Sequence, residues 1–119
     1  MSTLAIRYDA DKTFHMTSGP AGAAVDSSGN IDLSSVTETD VDISWTLNDG
    51  KTFRTSANAD PVTISGNGKD QIFTGGTLSN ENKTYTVTDA NAAAALNKSF
   101  TYQMHESTGD VDPSITNRN

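Results

Sequence analysis

The chain has 119 residues, no cysteine, and 8 basic against 15 acidic side chains for a net charge of −7, the profile of one small acidic domain spanning residues 1–119. This composition excludes disulfides, cysteine-ligated metals and thiol nucleophiles. It also argues against nucleic acid, because the few Lys and Arg residues are scattered singly and phosphate affinity needs them clustered.

Leu, Ile, Val and Phe supply only 21 of 119 residues, whereas Thr, Ser and Asn supply 40. The scarce apolar residues alternate with polar ones in short runs, the pattern of a turn-rich β domain with a thin core. In chain order, Leu4, Ile6 and Tyr8 share one strand face, and Phe14 and Met16 share another. The small-residue stretch from Met16 to Asn30 is expected to be the longest loop. Ile31 and Leu33 form the next short run. Asp40 to Leu47 is the clearest strand, with Val41, Ile43, Trp45 and Leu47 on one face and Asp40, Asp42, Ser44 and Thr46 on the other. Asn48-Asp49-Gly50 supplies hairpin-turn chemistry, so Lys51 to Ser56 is expected to return alongside with Phe53 inward.

Val62 and Ile64 begin the second half, followed by turn signals at Gly66-Asn67-Gly68, Gly75-Gly76 and Ser79-Asn80 and a short strand around Gln71-Ile72-Phe73. Tyr85 and Val87 form one further strand face, and Phe100, Tyr102 and Met104 another. Between them, Asp89 to Asn97 is alanine-rich and predicts one short helical crossover capped by Asp89 or Asn91. After a turn at Ser107-Thr108-Gly109, Pro113 cannot donate to a ladder, so it belongs at a strand start or on an edge.

Chemistry-bearing residues are few. Strand alternation puts His15 opposite Phe14 and Met16 and His105 opposite Met104, so both histidines belong to solvent faces, and no motif joins them. No Gly-x-Ser-x-Gly elbow and no phosphate-binding glycine loop occurs. Carboxylates cluster at Asp9 and Asp11, at Glu38, Asp40 and Asp42, and at Asp110 and Asp112, without the frame of an EF-hand loop. Their strand spacing reads as a solvated acidic face that discourages edge pairing. Trp45, Tyr8, Tyr85 and Tyr102 alternate inward and serve the core rather than sugar stacking. Asn82-Lys83-Thr84 and Asn97-Lys98-Ser99 are glycosylation sequons that an Asn- and Thr-rich chain produces by chance.

The segment Phe100-Thr101-Tyr102-Gln103-Met104-His105, a turn, and then Asp112-Pro113-Ser114-Ile115-Thr116-Asn117 resembles the closing hairpin of the uncharacterised bacterial DP-EP family. Its prolines follow Gly19, Asp60 and Asp112, so the Glu-Pro of the family's name is missing. The resemblance implies an immunoglobulin-like sandwich in a bacterium and assigns no functional residue.

The sequence therefore predicts an all-β antiparallel sandwich of seven to nine short strands, with a core of Val41, Ile43, Trp45, Leu47, Phe53, Tyr85, Val87, Phe100, Tyr102 and Met104. It predicts no catalytic, cofactor or metal residue, and no cofactor. The expected role is a non-enzymatic binding or structural module, meeting a protein partner or a second copy through loops or an edge strand. The alternative is a surface or phage-associated module for carbohydrate, with calcium as an optional ligand. With no apolar run near the ~20 residues of a membrane span and no signal-peptide pattern at Met1-Ser2-Thr3-Leu4, a cytoplasmic location is expected.

Overall fold

The computed structural model describes residues 2–54, 61–91, 99–106 and 109–117. They form eleven strands and a single helical turn, in two sheets. Sheet one contains β1 (Thr3–Asp9), β2 (Phe14–Ser18), β5 (Val41–Asn48), β7 (Phe73–Ser79) and β8 (Thr84–Asp89), in the order β2-β1-β5-β8-β7. Sheet two contains β3 (Ala24–Val25), β4 (Ile31–Asp32), β6 (Val62–Ser65), β9 (Ser99–Glu106), β10 (Gly109–Val111) and β11 (Ser114–Thr116).

In the second sheet β10 and β11 act as one return strand. Gly109 faces Glu106, Val111 faces Met104, Ser114 faces Thr101 and Thr116 faces Ser99, so the register with β9 runs on unbroken. Pro113 starts this second half without donating a ladder bond, while its own carbonyl accepts from the Tyr102 N–H at 2.9 Å. β6 lies along the other edge of β9.

All ten residues assigned to the core are buried, joined by Leu4, Ile6, Tyr8, Phe14, Ile31, Leu33, Val36, Val62, Ile72 and Ile115 in one cluster. Aromatic rings cross the thin interior between the sheets. Trp45 on β5 meets Tyr102 on β9 at a centroid distance of 5.0 Å, and Phe73 on β7 meets Phe100 on β9 edge-on at 4.9 Å. On the outer face of sheet one, hydroxyls pair across β5 and β8: Thr46 with Thr84 at 3.0 Å and Ser44 with Thr86 at 3.2 Å. This is how a chain so rich in Thr and Ser satisfies its wet faces.

Several expectations need correction. The sheets are mixed rather than antiparallel throughout, because β1 runs parallel to β5 and β11 parallel to β4. After β2 the chain crosses to sheet two for β3 and β4, then returns on the free side of β1 in the same direction. The strand number exceeds nine because Asp112-Pro113 divides β10 from β11 and because β3 and β4 are two-residue strands. Lys51 to Arg54 does not return beside β5, whose neighbours are β1 and β8; Phe53 instead bridges to Glu106 of β9 in the other sheet. Burying Phe53 against Tyr85, at 6.2 Å, outweighs the local hairpin signal. Residues 69–72 form the single helical turn α1 (Lys69–Ile72) rather than a strand, and β7 then runs through Gly75-Gly76 as a bulge instead of turning there. Met16 lies on an edge strand and is 41% exposed. Of the predicted crossover helix, Asp89 ends β8 and Asn91 has a left-handed backbone at φ 45°, while residues 92–98 lie outside the described part.

The segment from Gly19 to Asn30 closes one side of the sandwich. Asp26 holds its turn by accepting from the backbone of Ser28 and from the backbone and side chain of Asn30, at 2.9 to 3.0 Å. The Phe14 N–H donates to the Ser27 carbonyl at 3.0 Å and the Tyr102 hydroxyl to the Gly29 carbonyl at 2.6 Å. Gly29 has φ 90°, and a Cβ there would lie 2.7 Å from the Phe14 ring and 2.9 Å from Pro113. Gly29→Ala is therefore expected to lower unfolding free energy by roughly 2 to 4 kcal/mol, from backbone strain plus overpacking, as a shift in the urea midpoint. A midpoint within a few tenths of a kcal/mol of the parent's would show that this closure is not packed as described.

Candidate functional site

Among the described residues the opposite side of the sandwich stays open. β7 ends sheet one and β6 borders sheet two, and each has one ladder partner among the described strands. The two edges are joined by α1, which is pinned where the Ala90 N–H donates to the Ile72 carbonyl at 2.8 Å. Between them lies a groove of about 130 Å³, with Val62, Ile64, Phe73, Tyr85 and Val87 as its apolar floor and Lys69, Asp70, Thr74 and Gly75 at its rim. Lys69 and Asp70 pair with each other at 3.0 Å, so the rim presents little net charge. An apolar pocket of ~150 Å³ can hold a benzene ring, so this groove has room for about one apolar side chain.

The two edges are not equivalent. On β7 the register shifts between Thr74 and Thr77, with Gly75 at φ 78° and Gly76 at φ 129°. A side chain at Gly76 would overlap the Tyr85 hydroxyl, so only glycine lets the bulge pass over that ring. Such a bulge blunts strand addition. β6 is regular. The His105 N–H donates to the Pro61 carbonyl at 2.9 Å and Thr63 stands opposite Gln103, so the odd-numbered residues carry the ladder with β9. By alternation Val62 and Ile64 turn their backbone N–H and C=O groups toward the open edge, while their side chains line the groove.

The histidines stand on outer faces, as alternation predicts, but neither stands alone. His15 is exposed, with Nε2 2.9 Å from the Thr13 hydroxyl and 3.3 Å from Asp9. His105 is far more enclosed, its side chain 13% exposed. Its Nδ1 lies 2.9 Å from Asp110 Oδ1 and 2.9 Å from Arg54 Nη2, its Nε2 lies 3.0 Å from Thr63 Oγ1, and Arg54 also pairs with Asp110. Burial, and then the Arg54 guanidinium, hold the His105 imidazole below its ordinary pKa.

The carboxylate clusters do not converge. Among the described residues no three His, Asp or Glu side chains are placed to hold a metal ion. Several of the acidic side chains instead hold nearby turns and strand ends. Asp9 accepts from Arg7 and Asn48, Asp11 from Thr13, Asp32 from Ser34 and Glu38 from Ser2, and these hydrogen bonds hold all four below the usual carboxylate range. Trp45, Tyr8, Tyr85 and Tyr102 are buried, as expected. Among the described residues no helix is long and apolar enough to cross a membrane.

Sequence reading names Val62 and Ile64 as inward but not as the floor of an opening, since that depends on which strands end each sheet. Comparison with protein-family models, curated proteins and solved structures finds no match.

Proposed function

We propose that the protein is a binding module that takes up an extended segment of a partner polypeptide along β6. The carrying observation is the pairing, on one strand, of edge-directed backbone groups at Val62 and Ile64 with side chains that floor the groove. A strand added there would gain ladder hydrogen bonds from its backbone and place one apolar residue, β-branched or aromatic, against Phe73 and Val87. The net charge of −7 favours a neutral or basic segment over an acidic one. The carbohydrate alternative has less support, because the large aromatics that would stack on sugar rings lie in the core.

The test is a display library of extended peptides selected on the parent and on Ile64→Lys, followed by amide shift mapping. Ile64 is only half-buried, so the lysine is tolerated at a cost of about 1 kcal/mol or less but puts a charge into the groove. Peptides that shift Val62 to Ser65 and bind Ile64→Lys at least about tenfold more weakly, a difference of ~1.4 kcal/mol, are the expected result. Selected peptides that bind both proteins equally, or whose shifts fall elsewhere, would overturn the reading.

A further inference from the structure

Away from the groove, the outer face of sheet two brings together a hydroxyl, an imidazole and a carboxylate. Strand register does this directly. Asp110 of β10 is the cross-strand partner of His105, and Thr63 of β6 flanks the same imidazole from the other edge of β9. Asp110 can only accept and Arg54 can only donate, and both stand 2.9 Å from Nδ1. Because Arg54 also pairs with the carboxylate, we assign its N–H to Asp110 and the Nδ1 proton of the neutral ring to the same carboxylate. The lone pair is then left on Nε2, where it accepts the Thr63 hydroxyl at 3.0 Å. Gln103, directly across from Thr63 and on the same face, donates its side-chain amide to Asp110 Oδ2 at 3.4 Å, a second support for that carboxylate.

We propose that Thr63 is a nucleophilic hydroxyl activated by His105, which Asp110 orients, and that this face accepts acyl groups from esters. Thr63 Oγ1 forms a bond to the ester carbonyl carbon while its proton passes to His105 Nε2. The tetrahedral centre then collapses, the ester C–O bond breaks, and the departing alkoxide takes the proton from His105. Water repeats the sequence on the acyl-threonine, giving a carboxylic acid and the free hydroxyl. A shallow depression on the same face, lined by Ser65, Thr101, Ser114 and Thr116 together with Phe100 and Ile115, lies beside the triad and offers the acyl group a surface of mixed polarity.

The test uses para-nitrophenyl acetate with the full chain. Thr63→Val keeps the β-branched shape and the strand, and its melting curve checks the fold. The parent is expected to release nitrophenolate at least about tenfold faster than Thr63→Val and to carry an acetyl group on the Thr63 peptide by mass spectrometry. Asp110→Asn, a positioning change, is expected to slow the parent rate and to displace its pH profile, which a merely structural role would not do. Nitrogen NMR of the neutral ring should find the proton on Nδ1. Equal rates for the parent and Thr63→Val, acetylation only at lysines or histidine, or a neutral His105 protonated on Nε2 would each overturn the proposal.

Discussion

Trp45→Ala is expected to lower the unfolding free energy by roughly 3 to 5 kcal/mol, the usual range for a core tryptophan and a large share of a small domain's stability. Trp45 is fully buried in the middle of β5, between parallel β1 and antiparallel β8, with Ile6 and Tyr85 as its cross-strand partners. Its ring reaches across to Tyr102, whose hydroxyl holds the Gly29 carbonyl and with it the closing loop. A cavity at Trp45 therefore loosens sheet pairing, ring contact and loop together. Trp45→Phe keeps an apolar ring and should recover about half of the loss, so a urea titration of both variants separates ring volume from fold collapse. A loss below about 1 kcal/mol for Trp45→Ala would mean that the two sheets do not meet at this ring.

The strands of the core were legible because period-two alternation is local. Val41, Ile43, Trp45 and Leu47 need only their own sequence to declare a face, and the same holds for Phe100, Tyr102 and Met104. Partnership is not local. Asn48-Asp49-Gly50 carries every mark of a hairpin, yet the chain beyond it crosses toward the other sheet, where Phe53 bridges to Glu106 while its ring is buried against Tyr85 of the first sheet. Gly75-Gly76 misled for a related reason. Two glycines with positive φ suit a turn and a bulge equally, and the Tyr85 hydroxyl beneath Gly76, far along the chain, decides for the bulge.

The candidate sites divide along the same line. Asp110 could have been placed beside His105 from the hairpin register once Ser107-Thr108 is taken as its loop, because Glu106 then faces Gly109 and His105 faces Asp110. Thr63 and Arg54 could not, since they arrive from segments 42 and 51 residues away. The groove was least legible of all. Its residues look like ordinary core positions, and only the order of strands across two sheets shows that, among the described residues, the inner face there has no further strand over it.

Asp89 provides the second large effect. It closes β8 with its side chain fully buried, a position where alternation would ask for an apolar residue. Its Oδ1 accepts from the Asn91 backbone N–H and from Asn117 Nδ2, both at 2.9 Å. Among the described residues neither Asp89 Oδ2 nor Asn117 Oδ1 has a hydrogen-bond partner. Burial dominates these two hydrogen bonds and pushes the carboxyl up from 3.8 to about 6. Because the folded value is raised, the folded state holds more protons than the unfolded chain between these limits. Stability from this group is therefore full below the unfolded value, falls as pH rises, and levels off above the folded one. The shift corresponds to a loss of about 3 kcal/mol at alkaline pH.

Asp89→Asn removes the charge and keeps an oxygen for Asn91 and Asn117. The variant is expected to be more stable than the parent by about 2 to 3 kcal/mol near pH 8, with the gap closing toward pH 4. Urea titrations of both proteins across that range measure the difference. The low-pH losses from Asp9, Asp11, Asp26, Asp32 and Glu38, whose carboxyls are all held below their ordinary values, are common to the two and cancel. A gap that stays constant with pH, or a variant less stable at alkaline pH, would mean that Asp89 is ionised in the fold without penalty.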